Sequence, residues 1–576
     1  MTKRNQNASE QEVRSEFSQL ANQHTDVLVI GGGINGISIT RDLSLQGIKV
    51  TLVDAGDVMS GASAASSHMI HGGIRYLENG EFRLVRESVQ ERNDLLRTAR
   101  HVVKPLRTTV PIFSLWSGIL QAPFKFINHG KGKRSERGAL LIGIGLVIYE
   151  TFSRANGVMP RFKFVARKSA SKELPSLRRS VKYLASYYDA SVHEPERLAL
   201  DLLSDAIATG NAKVVTYAAA VGTQDGGVLL RDSLTQTVVR ATADLVINAS
   251  GPKTDLTNEA LGWETKFMGG TKGSHIVVDH QQLYDELAGR ELFFENSDGR
   301  IVLIYPVKGR VLIGTTDIFA DPRQPVRCTE EEIDYFFDLV GFIMPGIKLD
   351  RSQIVFKFSG IRPLPKADDT QPGFVSRDYR VSQDVLPNSM DVPLFSVVGG
   401  KWTTFRALGE NVTDMVLEKL GKSRRVSTLG LEIGGGKKFP ANDQESRAWV
   451  EANRGSLSVE RADALLHRYG TRASDLITYL DKVGDIPLQS LPNYSVQELA
   501  FLVLTENAVR LDDVLLRRTT LAFAGLLNAE RVNEIAFAVA TVLNWSEERI
   551  QSEIERAWTI LTDKHGVQKD NAMLTA

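Results

Sequence analysis

Residues 26–54, DVLVIGGGINGISITRDLSLQGIKVTLVD, constrain the fold more than any other stretch of the chain. A short β-branched run (26–30) leads into Gly31, Gly33 and Gly36 at G-x-G-x-x-G spacing, with Asn35 in the same turn. An amphipathic segment follows, then a second apolar run (50–53) that ends on Asp54. This order predicts strand, glycine turn, helix and strand, the unit that holds a dinucleotide. Gly31 permits the tight turn, Gly33 lets the backbone approach a pyrophosphate, and Gly36 lets the helix lie close to the sheet. The helix N-terminus turns its N–H groups and its positive dipole end toward the phosphates. Asp54 stands where a carboxylate accepts hydrogen bonds from a ribose hydroxyl pair.

The chain has 576 residues, too many for one simple core, so two or three domains are expected. Lys+Arg and Asp+Glu both total 69, and this balance gives no global field toward nucleic acid or membrane. The single cysteine, Cys328, excludes an internal disulfide, a C-x-x-C pair and a cysteine-ligated cluster, and it suits a reducing compartment. Residues 1–25 are polar, lack the apolar core of a secretory signal and read as a disordered or weakly helical extension. The longest apolar run, 139–149, is shorter than the roughly 20 residues a membrane span requires.

Beyond the opening unit, helical periodicity is predicted over 80–100 and 197–210, and strands over 101–114, 213–221, 242–251, 273–279, 301–317 and 357–363. A helix is predicted over 330–340, and a strand, a Gly399–Gly400 turn and a helix over 394–405. Residues 431–455, with GGGKKFPAND inside them, read as a linker. From 456 to 576 helices dominate, predicted at 460–469, 496–505, 514–526, 529–543 and 547–562.

Six further motifs stand in order: ASSHMIHGGIRYLENGEFRLVRE (65–87), NASGP (248–252), KGSHIVV (272–278), IGTTD (313–317), SGIRPL (359–364) and GGKWTTFR (399–406). Together they resemble the FAD-dependent (aerobic) glycerol-3-phosphate dehydrogenases. The opening unit alone leaves flavin and nicotinamide dinucleotides equally open, and the resemblance selects FAD. It implies an α/β protein: a Rossmann-like FAD-binding domain, a β-sheet substrate domain and an all-α C-terminal domain. The FAD domain would comprise about 26–100, 190–260 and 355–430, interleaved with a substrate domain of about 101–189 and 261–354.

By the same resemblance, cofactor contacts fall to Gly31, Gly33, Asn35, Gly36, Asp54, Ser66, Ser67, His71, Gly72, Val221, Ala249, Gly251, Gly399, Gly400 and Thr403. The Gly399–Gly400 turn opens a helix toward the reducible end of the flavin. Arg75 and Arg362 would grip the phosphate and hydroxyl oxygens of the substrate, since guanidinium binds phosphate in a forked fashion. Lys401 would lie between substrate and flavin, and either His275 or Lys401 would take the hydroxyl proton. The implied reaction is oxidation of sn-glycerol 3-phosphate to dihydroxyacetone phosphate, the C2 hydride passing to flavin N5 and the electrons to a quinone. An oxidase that reduces oxygen to hydrogen peroxide is the alternative.

A quinone acceptor places the protein in the cytoplasm or peripherally on the inner face of the cell membrane, the basic stretch 121–168 being the candidate contact with membrane lipid. The small basic patch at 515–520 does not amount to a nucleic-acid site, and no metal site is expected. Assembly, a homodimer included, is left open.

Overall fold

The computed structural model describes residues 14–21, 23–73, 82–113, 160–295, 301–366 and 378–570. Two sheets organise them. The first runs in the order Arg380–Val385, Pro393–Val398, Val238–Asn248, His24–Ile30, Val50–Val53, Ala212–Val215. The last five of these pair in parallel. Ile30 stands opposite Asn248 on one side and Val53 on the other, so the carboxyl ends finish level at Gly31, Asp54 and Ala249. In an open α/β sheet that edge is where a ligand crevice forms.

Helices Ile34–Leu45, Pro195–Ala208 and Phe405–Lys419 cover one face, burying Ile37, Leu43, Leu52, Ile247, Leu203 and Leu408 in one core. The other face is covered by an antiparallel meander of Ala218–Gln224, Gly227–Asp232 and the first residues of Val238–Asn248. Phe17 and Leu20 insert into this second core. Of the disordered or weakly helical extension expected over 1–25, the later part is helical and packed, at Ser15–Ser18 and Gln19–Ala21, and the first strand begins at His24. The strand expected over 213–221 is two strands, because Tyr217 adopts φ 59° and turns the chain from the parallel strands into the antiparallel meander.

The second sheet runs Ile318–Phe319, Thr271–Val278, Arg310–Gly314, Ile301–Val307, Arg290–Glu295, Val103–Ile112, Tyr183–Val192, Met69–Ile70. Ile354–Arg362, assigned from sequence to the cofactor domain, pairs along Thr271–Val278 and belongs to this sheet. Helices Gln281–Leu287 and Glu330–Ile343 close one face over Ile276, Leu292, Ile304 and Ile313.

Alternation puts Val277, Leu303, Tyr305, Leu312 and Phe356 on the opposite face. There they enter one continuous core with Leu465, Leu502, Val514, Ile535 and Trp558 of the C-terminal helices. The helical domain thus has no core of its own separate from the sheet. The 431–455 stretch is not a free linker. Gly434–Gly436 are buried, and a methyl on Gly435 or Gly436 would strike the carbonyls of Tyr469 or Thr98 at 2.1 and 2.3 Å. Asp443–Asn453 within the same stretch is a helix. The helix expected over 514–526 shrinks to Leu511–Asp513 and a π-helical turn, Val514–Arg518.

Candidate active site

The glycine turn takes the conformation its residues predict. Gly31 has φ 113°, and a methyl on Gly36 would lie 1.9 Å from the Gly31 carbonyl oxygen, so the helix Ile34–Leu45 starts in direct contact with the strand end. Ala249 closes the other side, its N–H donating to Ile30 O at 2.8 Å. Gly251, at φ 63°, opens the next helical turn. The half-buried Asp54 carboxylate spans the loop ahead of the turn, accepting from Gly32 N at 2.6 Å and from Gly56 N at 2.8 Å. Its removal from water outweighs those two hydrogen bonds and raises its pKa to about 6. Val221 lies at a register shift in Ala218–Gln224, a strand whose first N–H bonds Asp54 O at 2.7 Å.

Gly399 and Gly400 have φ 89° and 100°, and Gly400 approaches the Asn35 side chain so closely that a methyl there would meet Nδ2 at 2.6 Å. Asn35 Oδ1 is buried with no hydrogen-bond partner. Thr403 Oγ1 lies 3.3 Å from both His71 N and His71 O, tying the helix after the glycine pair to the loop 61–73. In that loop Gly72 N donates to Asp189 Oδ1 at 3.0 Å, and Asp189 is held in turn by the fully buried Arg92 at 2.7 Å. Ser66 Oγ accepts from His68 N.

Ser67 Oγ is 2.8 Å from His275 Nε2, which joins the loop to the second sheet. The His275 ring stacks on Phe358 at 4.8 Å, and its Nδ1 is buried without a partner. Burial, then Arg362 and His68, hold the imidazole pKa well below its ordinary value. Arg362 Nη1 donates to Asp317 Oδ1 at 2.9 Å, and Nη2 to Thr315 Oγ1 and Thr316 O, each at 2.9 Å. Its guanidinium fits beside the strand because Gly273 has no side chain: a methyl there would stand 2.3 Å from Nη2.

His275, Ser67 and Arg362 therefore come together, while the Lys401 ammonium reaches the Phe82–Thr98 helix, where it donates to Ser88 Oγ at 2.5 Å. Arg75 and most of the basic stretch 121–168, including 139–149, lie outside the described residues. The basic patch at 515–520 is not available to nucleic acid, because Arg517 and Arg518 are buried and ion-paired with Asp57, Asp512 and Asp513.

The sequence pattern of the "FAD dependent oxidoreductase" family matches residues 26–400, and that of the "C-terminal domain of alpha-glycerophosphate oxidase" matches 426–550. A "Glycerol-3-phosphate dehydrogenase" of Synechocystis sp. is 32% identical, over 94% of this chain and 97% of its own length. This chain belongs to the FAD-dependent glycerol-3-phosphate dehydrogenase family. An "Aerobic glycerol-3-phosphate dehydrogenase" of Staphylococcus aureus is 26% identical over 95% of this chain and 96% of its own length. The fold is shared with the glycerol-3-phosphate dehydrogenase from Bacillus halodurans complexed with FAD (TM-score 0.70, 23% identity, 95% of this chain and 96% of that one).

The residues present suit the cofactor of this family. An orphaned carboxamide oxygen on Asn35, the side-chain-free Gly399–Gly400 turn and the helix start at Ile34 form a cradle at the carboxyl ends of two parallel strands, His24–Ile30 and Pro393–Val398. Glu332 and Asp317 escaped sequence reasoning. Glu332 accepts from Lys272 Nζ, Ser274 Oγ, Thr316 Oγ1 and Thr329 N at 2.7–2.9 Å, binding the KGSH strand to the GTTD loop. The signal for it was present as Thr329-x-x-Glu332, a capping box that the structure forms in full.

Proposed function

We propose that the chain oxidises sn-glycerol 3-phosphate to dihydroxyacetone phosphate and passes the electrons to a quinone at a membrane surface. The observation that carries this reading is the buried His275, bonded to Ser67 and within the field of Arg362, in a chain whose relatives along nearly its whole length bear that substrate in their names. FAD, bound in the cradle, supplies the hydride acceptor. Arg362, with Arg75, takes the phosphate and hydroxyl oxygens; the forked guanidinium fixes which carbon faces the cofactor. His275 is the base: burial and Arg362 favour its neutral imidazole, with one ring nitrogen free to accept a proton, and Ser67 Oγ at 2.8 Å orients the ring. A phosphate dianion beside Arg362 offsets the cation that helps depress His275, so the base strengthens as the substrate arrives. Lys401, held by Ser88, is the rival base.

The chain brings no thiol relay, Cys328 being its one cysteine and buried, so the acceptor has to meet the cofactor directly. Among the described residues no helix is long and apolar enough to cross a membrane, and the contact we propose is peripheral. A second reading, reduction of oxygen to hydrogen peroxide, is favoured by the match of 426–550 to an oxidase domain.

Mixing the holoenzyme anaerobically with sn-glycerol 3-phosphate should bleach the yellow flavin band, and an unchanged spectrum would sink the proposal. Turnover in air with a soluble quinone analogue separates the acceptors, because substantial peroxide release points to the oxidase. Flotation with anionic liposomes tests the membrane contact. A protein that stays wholly in the soluble fraction at moderate salt refutes it.

A further inference from the structure

The loop that carries Asp54 is fixed from outside the cofactor-binding fold. Asp57, three residues on, is fully buried, and Arg517 and Arg518 both donate to its carboxylate, Arg518 Nη2 at 2.9 Å. These arginines stand on the π-helical turn Val514–Arg518 of the C-terminal domain. Arg517 Nη2 also donates to Asp513 Oδ1 at 2.6 Å and Asp512 Oδ2 at 3.2 Å, and Arg556 Nη2 reaches Asp512 Oδ1 at 2.5 Å. Three carboxylates thus face three guanidiniums in a buried, internally neutral cluster.

A second anchor reaches the same cluster from the turn after Ala212–Val215. Tyr217 OH donates to Asp513 Oδ1 at 2.6 Å, while Tyr217 N donates to Gly56 O at 2.9 Å. The loop between the anchors leans on the glycine turn, Met59 N donating to Gly32 O at 2.9 Å. The acid that faces a ribose and the turn that faces a pyrophosphate are therefore set at a fixed separation by side chains of the helical domain.

We propose that Arg517 and Arg518 are positioning residues for the adenylate half of FAD, acting through Asp57 and Tyr217, so that the C-terminal domain completes the cofactor site. A buried carboxylate clamped by two arginines leaves the 54–59 loop one position. Without the clamp, an FAD adenylate would have to order that loop on binding, and would be held less tightly by that cost.

The test is release of FAD from the holoenzyme, followed as the rise in free-flavin fluorescence after dilution, with Tm measured on the same samples. Asp57→Asn should release FAD at least tenfold faster, and Tyr217→Phe several-fold faster, while the absorption band of the flavin still bound keeps its wild-type shape. Arg461→Met serves as the control for general destabilisation. Arg461 pairs with Asp485 and Glu498 inside the helical domain, and its loss should lower Tm yet leave FAD release at the wild-type rate. Wild-type release by both loop variants overturns the proposal, as does equal acceleration by Arg461→Met. If Asp57→Asn does not fold, Tyr217→Phe decides alone.

Discussion

His275 sits on a strand, sealed from water and within the field of Arg362, and both push its imidazole toward the neutral form. A base with a depressed pKa keeps its lone pair at every pH above the lowered value, whereas an ordinary imidazole is half protonated near pH 6.5. The rate of flavin bleaching by substrate should therefore stay flat from pH 8 down past 6.5. A stopped-flow series showing an ascending limb centred near 6.5 would contradict this role. His275→Ala should slow the same step by roughly 100- to 10,000-fold, the usual weight of a general base, with FAD retained. Gly273→Ala addresses Arg362 from behind: the new methyl would crowd its Nη2 at 2.3 Å. Losing a charged hydrogen bond costs about 1.5–3 kcal/mol, so KM in steady-state assays should rise roughly 10- to 100-fold. The sequence marked His275, Arg362 and the glycine turn because each stands in a fixed local motif. It could not disclose Ser67 as the partner of His275, since 208 residues separate the two and only the packing of the loop on the sheet joins them.

At the scale of elements, Glu332 does the joining. It leaves a helix N-terminus to accept hydrogen bonds from Thr271–Val278 of the second sheet and from the loop after the neighbouring strand Arg310–Gly314. Burial alone would raise its pKa, but donation from Lys272, Thr329 N, Thr316 and Ser274 more than offsets that, and the net value lies below the ordinary 4.5. A group depressed on folding stabilises the native state above its unfolded pKa and loses that contribution as pH falls through the folded one. Wild-type stability should thus drop below about pH 4.5, and Glu332→Gln should flatten that part of a denaturant-midpoint-versus-pH curve. Glu332→Ala should cost about 3–5 kcal/mol at pH 7, since it strands the buried end of Lys272 and two hydroxyls. Periodicity located most elements, Val496–Thr505 and Ala529–Leu543 among them. It failed at 514–526, where apolar spacing continues although the backbone widens into a π turn to aim Arg517 and Arg518 at Asp57. Ala473–Val483 passed unnoticed for want of a distinctive cap: its N-cap is Arg472, which makes no capping hydrogen bond through its side chain.

For the whole molecule, the helical C-terminal domain is present as expected, but it packs onto the second sheet and the stretch before it is no free linker. Composition and glycine content in 434–443 look like those of an exposed connector, yet the three glycines are there because Asp201, Tyr469 and Thr98 leave no room for a side chain. Apolar positions on the second sheet signal burial without naming the partner, so the shared core was not legible along the chain. Removing residues 440–576 should leave Val277, Leu303, Tyr305, Leu312 and Phe356 uncovered. The truncated chain is expected in the insoluble fraction on expression, and a soluble, yellow product would disprove the common core. That core also has a bearing on biogenesis. Strands that emerge early from the ribosome must wait, greasy side outward, until helices encoded hundreds of residues later arrive to sheathe them. Nascent chains are accordingly expected to need holding chaperones, with coenzyme capture following release from the ribosome.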